Sequence, residues 1–137
     1  LQTFEAVRTK FSEFAPKLFG GGKANLELID PTNPLDSGVE IQVRPPGKKP
    51  KNMDLLSGGE KALCATALIF AMFMERPSPL CVLEEVDAPL DEANLMRFLA
   101  FVKEMSTQTQ FIMITHNKQS MQVADRLAGV TMGTPGA

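Results

Sequence analysis

At 137 residues, 44% apolar and 22% charged with a formal net charge of −2, the chain fits one domain with a real core, since chains of this size bury about two-thirds of their unfolded surface. The near-neutral balance excludes a protein working chiefly as a polycation on nucleic acid, though not a local basic patch. No apolar run approaches the ~18 residues of a membrane span, the opening LQTFEAVRTKF lacks a signal-peptide core, and Cys64 and Cys81 sit in apolar runs without a CxxC pair. The expectation is a soluble, cytoplasmic protein with two buried thiols and neither zinc nor a disulfide framework.

Phe4, Val7, Phe11, Phe14, Leu18 and Phe19 follow the helical period and predict a helix over residues 1–19, ended by Gly20-Gly21-Gly22. The pattern is already running at Leu1, as in a segment excised from something longer. ANLELI and VEIQVR alternate around the turn-rich DPTNPLDSG and predict a hairpin with a long loop. The stretch RPPGKKPKNMD, carrying Arg44, Lys48, Lys49 and Lys51, reads as a solvated connector, with a nucleic-acid contact as the sharper alternative. The next helix starts after Ser57 and is apolar on most sides, with Leu63, Ala67, Phe70 and Met74 on one stripe and Ala62, Thr66, Ile69 and Phe73 on another. Such a helix is expected to be sandwiched. Pro77 and Pro79 stop it. LCVL and QFIMIT read as strands covered on both faces, separated by a helix from Asp91 that aligns Leu95, Phe98, Leu99 and Val102. A short helix over residues 118–124 and a final strand, LAGVTM, complete an α/β pattern with an at least partly parallel sheet.

Three places carry chemistry. Ser57-Gly58-Gly59-Glu60 is a capping box, Ser57 on the amide of Glu60 and Glu60 on the amide of Ser57. Glycine in a first helical turn costs up to about 1 kcal/mol in propensity, and what it provides is bare backbone for an anion at the positive end of the dipole. Glu84-Glu85, with Asp87 shortly after, stands at a strand's carboxyl end, where open α/β sheets bind ligands; one group suits a magnesium ion and the other a water. His116, the only histidine, follows the second strand at the same edge and is a candidate donor to a phosphate oxygen. A phosphate-binding loop of the form G-x-x-x-x-G-K-[ST] is absent from the sequence: at FGGGKANL the glycine spacing is wrong, Ala24 follows Lys23, and a strand comes next.

LSGGEKAL, CVLEEVDAPLDEAN and FIMITHNK, in that order and spacing, resemble the C-terminal half of the ATPase head of SMC proteins, coiled-coil ATPases of chromosome condensation and cohesion within the ABC ATPase class. KLFGGGKANLEL and ADRLAGVTM extend the likeness over nearly the whole chain, and its look is bacterial. The resemblance implies a largely parallel α/β head lobe over residues 20–137 behind the foot of a coiled coil at residues 1–19, with the Walker A loop in a separate N-terminal lobe. It implies that Ser57, Gly58 and Gly59, with Glu60 beside them, form the signature motif that meets the γ-phosphate of ATP on a second head. Glu84 then holds the magnesium-associated Walker B position, Glu85 activates the attacking water, Asp91 is the D-loop aspartate and His116 the switch histidine. The implied ligands are ATP and Mg²⁺. The implied partners are the N-terminal lobe, a second head in a homodimer, a kleisin subunit, and DNA through the full complex at the nucleoid.

One position departs from the family's pattern, which usually has Asp where this chain has Glu84. The extra methylene moves the carboxylate by about 1.5 Å, so retained but tuned hydrolysis is expected. The chain alone is expected to be inactive. Two alternatives are a silent lobe that docks a kleisin, and the head of a related coiled-coil DNA repair ATPase.

Overall fold

The computed structural model describes residues 1–133; positions 134–137 of the expected lobe lie outside the described residues. The first predicted helix forms as α1 (Gln2–Phe19), and its stripe of Phe11, Phe14, Ala15 and Leu18 is buried. Gly20 ends it in the left-handed region at φ 75°. Gly22, at φ 81°, lies so close to the Arg44 carbonyl that a Cβ would overlap it, so the chain turns tightly from α1 into the hairpin.

That hairpin is β1 (Lys23–Leu28) antiparallel to β2 (Val39–Arg44), with Leu26 opposite Ile41 and Ala24 opposite Val43. The register puts Leu26 and Val43 into the core. A two-residue strand that the sequence pattern does not reveal, β3 (Lys51–Asn52), pairs with β2. It leads the basic loop back through a 3-10 turn, Met53–Leu55, to the start of α2 (Gly58–Glu75).

Leu63, Cys64, Ala67, Phe70 and Ala71 form the buried stripe of α2. Burial pushes the Cys64 thiol up to about 11, which leaves it a small neutral core side chain. The expectation of a sandwiched helix is corrected: α1 and α3 (Glu92–Met105) pack against one side of α2, while Ile69 and Met72 stay exposed on the other. Phe101 of α3 joins the layers, edge-on to Phe14 and to Phe70 at 5.1 Å each.

The strands β4 (Leu80–Glu84) and β5 (Gln110–Ile114) pair in parallel, Leu80 with Gln110 through Glu84 with Ile114, and α3 is their crossover. The α/β class is as expected, but the strands divide into an antiparallel three-stranded sheet and a parallel two-stranded one. The two-face covering is also corrected. Cys81, Leu83, Phe111 and Met113 turn toward the helices, whereas Leu80, Val82, Ile112 and Ile114 are 44–56% exposed on the opposite face. After β5 comes the short α4 (Lys118–Gln122). The final strand expected at LAGVTM does not form: residues 127–132 pair with no strand among the described residues, and Leu127, Val130 and Met132 are exposed. A strand without a ladder partner has nothing to hold its backbone groups.

Candidate functional site

Both parallel strands end at one edge, which places Glu84 and Glu85 beside the segment Thr115-His116-Asn117. Glu84 closes β4 with its side chain on the exposed face. Glu85 breaks the extended run at φ 49°, a left-handed conformation that costs a residue with a side chain about 1–3 kcal/mol. Its amide donates to the Ile114 carbonyl at 2.8 Å and its carbonyl accepts from the Ala88 amide at 3.3 Å. The backbone therefore fixes Glu85 one step beyond the ladder. The carboxylate faces His116, with Oε1 2.9 Å from Nε2, and both side chains are at least half exposed.

Under this pair lies a buried network centred on Asp87, which the sequence showed only as a third acid. Asp87 is 3% exposed, and its Oδ2 accepts from the Thr115 hydroxyl at 2.6 Å and from the Ser120 hydroxyl. Thr115 Oγ1 also accepts from the Asn117 amide at 3.0 Å, and Asn117 Oδ1 caps α4 by accepting from the Gln119 amide at 2.8 Å. One buried carboxylate thus ties the loop after β4 to the loop after β5 and to α4. The available signals were a hydroxyl residue directly after the second strand and an acid set back from the strand-end pair.

A second group forms at the start of α2. Ser57 Oγ accepts from the Glu60 amide at 3.3 Å, the predicted cap. The reciprocal half differs: Glu60 Oε1 accepts from the Ser57 hydroxyl and from Lys48 Nζ, each at 3.0 Å, rather than from the Ser57 amide. Burial alone would push the Glu60 carboxyl up. The hydrogen bonds from Lys48 and Ser57, with the charges of Lys48 and Lys51, outweigh it and hold the carboxyl below the usual range.

The two glycines have different surroundings. A Cβ on Gly58 would meet nothing within 4 Å, whereas one on Gly59 would lie 3.4 Å from Asn94 Nδ2 and 3.6 Å from the Pro89 carbonyl. Gly59 lets α2 approach α3, and Gly58 leaves open backbone at the dipole's positive end. Asp91 caps α3, its Oδ1 accepting from the Asn94 amide at 2.8 Å, so it belongs with this second group through Asn94.

The hydrogen bonds and ion pairs link the candidate residues as two groups, joined along the chain by the segment 85–91. Glu84, Glu85 and His116 share the strand edge; Ser57, Gly58, Gly59, Glu60 and Asp91 share the helix starts. Among the described residues no three or more His, Cys, Asp or Glu converge on a metal position. Magnesium is usually held by one or two carboxylates together with phosphates and waters, so the exposed Glu84 fits as a single ligand to an ion carried with a nucleotide.

A profile of the RecF/RecN/SMC N terminal domain matches residues 20–137. The chain belongs to the RecF/RecN/SMC family. It is similar to the chromosome partition protein Smc of Methylococcus capsulatus, 56% identical over 135 residues, an alignment covering 98% of this chain and 12% of that protein. The family's head fold is shared as well. A structure solved in work on ATP-driven dimerization and DNA stimulated activation of SMC ATPases superposes with a TM-score of 0.89 at 43% identity, covering 96% of this chain and 80% of that one. An SMC head bound to the C-winged helix domain of ScpA matches with a TM-score of 0.82 at 44% identity, covering 90% of this chain and 38% of that one.

Proposed function

We propose that this chain is the C-terminal lobe of an SMC ATPase head, which supplies the catalytic carboxylate to ATP hydrolysis while another lobe supplies the Walker A loop. The observation that carries the reading is the pairing of Glu85 with His116 at 2.9 Å beside the strand-end Glu84. Glu85 is the general base: its fixed backbone and exposed carboxylate suit it to take a proton from a water attacking the γ-phosphate in line. His116 orients that carboxylate through Nε2 and, once the nucleotide arrives, its ring N–H turns to donate to the phosphate oxygen. Ser57 and the open amides at Gly58 and Gly59 receive the γ-phosphate of ATP bound to a second head, and Asp91 holds the start of α3 against that motif. Mg²⁺, when bound with the nucleotide near Glu84, neutralises charge on the phosphates. The two separate groups fit this division, since each head then completes a different half of two shared sites.

The 56% identity to a chromosome partition protein favours chromosome partition at the nucleoid over DNA repair as the parent protein's task. A kleisin subunit is a proposed partner on the strength of the ScpA-bound SMC head. The test is Glu85→Gln in the full-length parent. Turnover should fall by roughly 10²–10⁴ while ATP-dependent head pairing persists, and ordinary turnover in that variant would overturn the assignment.

A further inference from the structure

The basic loop before α2 takes no part in the hydrolysis proposed above, yet its Lys48 is hydrogen-bonded into the start of α2. Pro45, Pro46, Gly47 and Lys48 form a tight turn, with the Lys48 amide donating to the Pro45 carbonyl at 3.1 Å and Gly47 at φ 69°. The turn aims Lys48 at Glu60, Nζ to Oε1 at 3.0 Å. The Glu60 side chain is only 13% exposed, and its Oε2 is buried without a hydrogen-bond partner. Exposed ion pairs are usually idle. A mostly buried carboxylate at a helix start is different, because it needs a counter-charge.

We propose that Lys48 is a positioning residue for the anion site at the start of α2, neutralising Glu60 and competing with Ser57 for Glu60 Oε1. The inference rests on reading Ser57 as a phosphate contact. The Ser57 hydroxyl and Lys48 share Glu60 Oε1 in the structure; without Lys48, that carboxylate holds the Ser57 proton more strongly against an arriving phosphate oxygen. The same carboxylate would then stand uncompensated beside the incoming negative charge. Both effects weaken phosphate binding, and neither touches the bond-breaking step at Glu85.

In the full-length parent protein, Lys48→Ala should raise the ATP concentration for half-maximal turnover and for head pairing by roughly three- to tenfold, with kcat changed less than about twofold. Lys48→Arg, which keeps the charge, should retain most of the affinity. Adding Glu60→Gln to Lys48→Ala should restore the ATP dependence, because a neutral amide needs no counter-ion. A role confined to local stability predicts the opposite, since the double variant lacks the pair too. Unchanged ATP dependence in Lys48→Ala, or failure of Glu60→Gln to reverse its defect, overturns the proposal. Ser57→Arg separates the levels. If it abolishes pairing while Lys48→Ala behaves as wild type, only the role of Lys48 fails; if Ser57→Arg itself leaves turnover and pairing intact, the phosphate reading of Ser57 falls.

Discussion

Glu85 sits at φ 49°, where glycine would sit more easily, because the Ile114 carbonyl and the Ala88 amide both hold its backbone there. That strain belongs to the position, so truncating the side chain and relieving the backbone can be separated. In the parent protein Glu85→Gly should unfold at higher denaturant than Glu85→Ala, by about 0.5–1 kcal/mol, with both inactive. Equal stability would mean that the loop relaxes and stores no strain. Glu84 poses a question of reach. Displacements of about 1 Å can cost about 100-fold in rate, but Glu84 is exposed at the strand end, free to tilt or to replace a bridging water. On the proposed reading, Glu84→Asp should therefore change ATP turnover of the parent protein by less than about tenfold. Near-zero activity in the parent, rescued by that substitution, would refute the tuning argument. These acids were legible in the sequence because a short apolar run followed by acids marks a strand end. Asp87 was not, since its hydroxyl partners Thr115 and Ser120 lie 28 and 33 residues away and only the fold brings them together.

Among the elements, the helices were the most legible, because the 3.6-residue period records which stripe faces the core: the buried set of α3 contains Leu95, Phe98, Leu99 and Val102 as the spacing required. What the pattern cannot record is who covers a face. Ile112 and Ile114 read as buried, yet they are about half exposed, on the strand face opposite Phe111 and Met113. Nor does a two-residue strand such as β3 leave a periodic trace. Beyond the β4–β5 ladder, the two following loops and α4 are tied together by one carboxylate, Asp87, so the weakness of that junction is specific. Asp87→Ala removes the acceptor shared by the half-buried Thr115 hydroxyl and the buried Ser120 hydroxyl. The loss should be about 2–4 kcal/mol, measured by chemical denaturation of the parent protein. Asp87→Asn, which retains an acceptor oxygen, should lose less. A cost below about 0.5 kcal/mol for the alanine variant would show that water replaces the carboxylate.

At the scale of the whole molecule, the open face of the parallel sheet is the feature that calls for a covering partner. Leu80, Val82, Ile112 and Ile114 are each 44–56% exposed and adjacent across two paired strands. Fully burying one such side chain is worth about 1.5–3 kcal/mol, so covering all four from their half-exposed state contributes several kcal/mol to any surface that fits them. A contiguous apolar strip of this kind marks an interaction face. On the proposed reading its cover is the lobe that carries the Walker A loop, and docking there would set the nucleotide beside Glu84 and Glu85 at the strand ends. Ile112→Glu discriminates, because the same substitution is cheap on an open face and severe in a closed one. On the 137-residue chain it should shift unfolding by less than about 0.5 kcal/mol, as an exposed substitution does. In the full-length protein it would bury an unpaired carboxylate against apolar neighbours, and should cost about 3–5 kcal/mol or prevent the head from assembling. ATP binding and head pairing would then be lost while Glu85 and Ser57 are untouched. A full-length Ile112→Glu protein with ordinary ATP turnover would mean that this face stays in water and that the nucleotide-bearing lobe docks elsewhere.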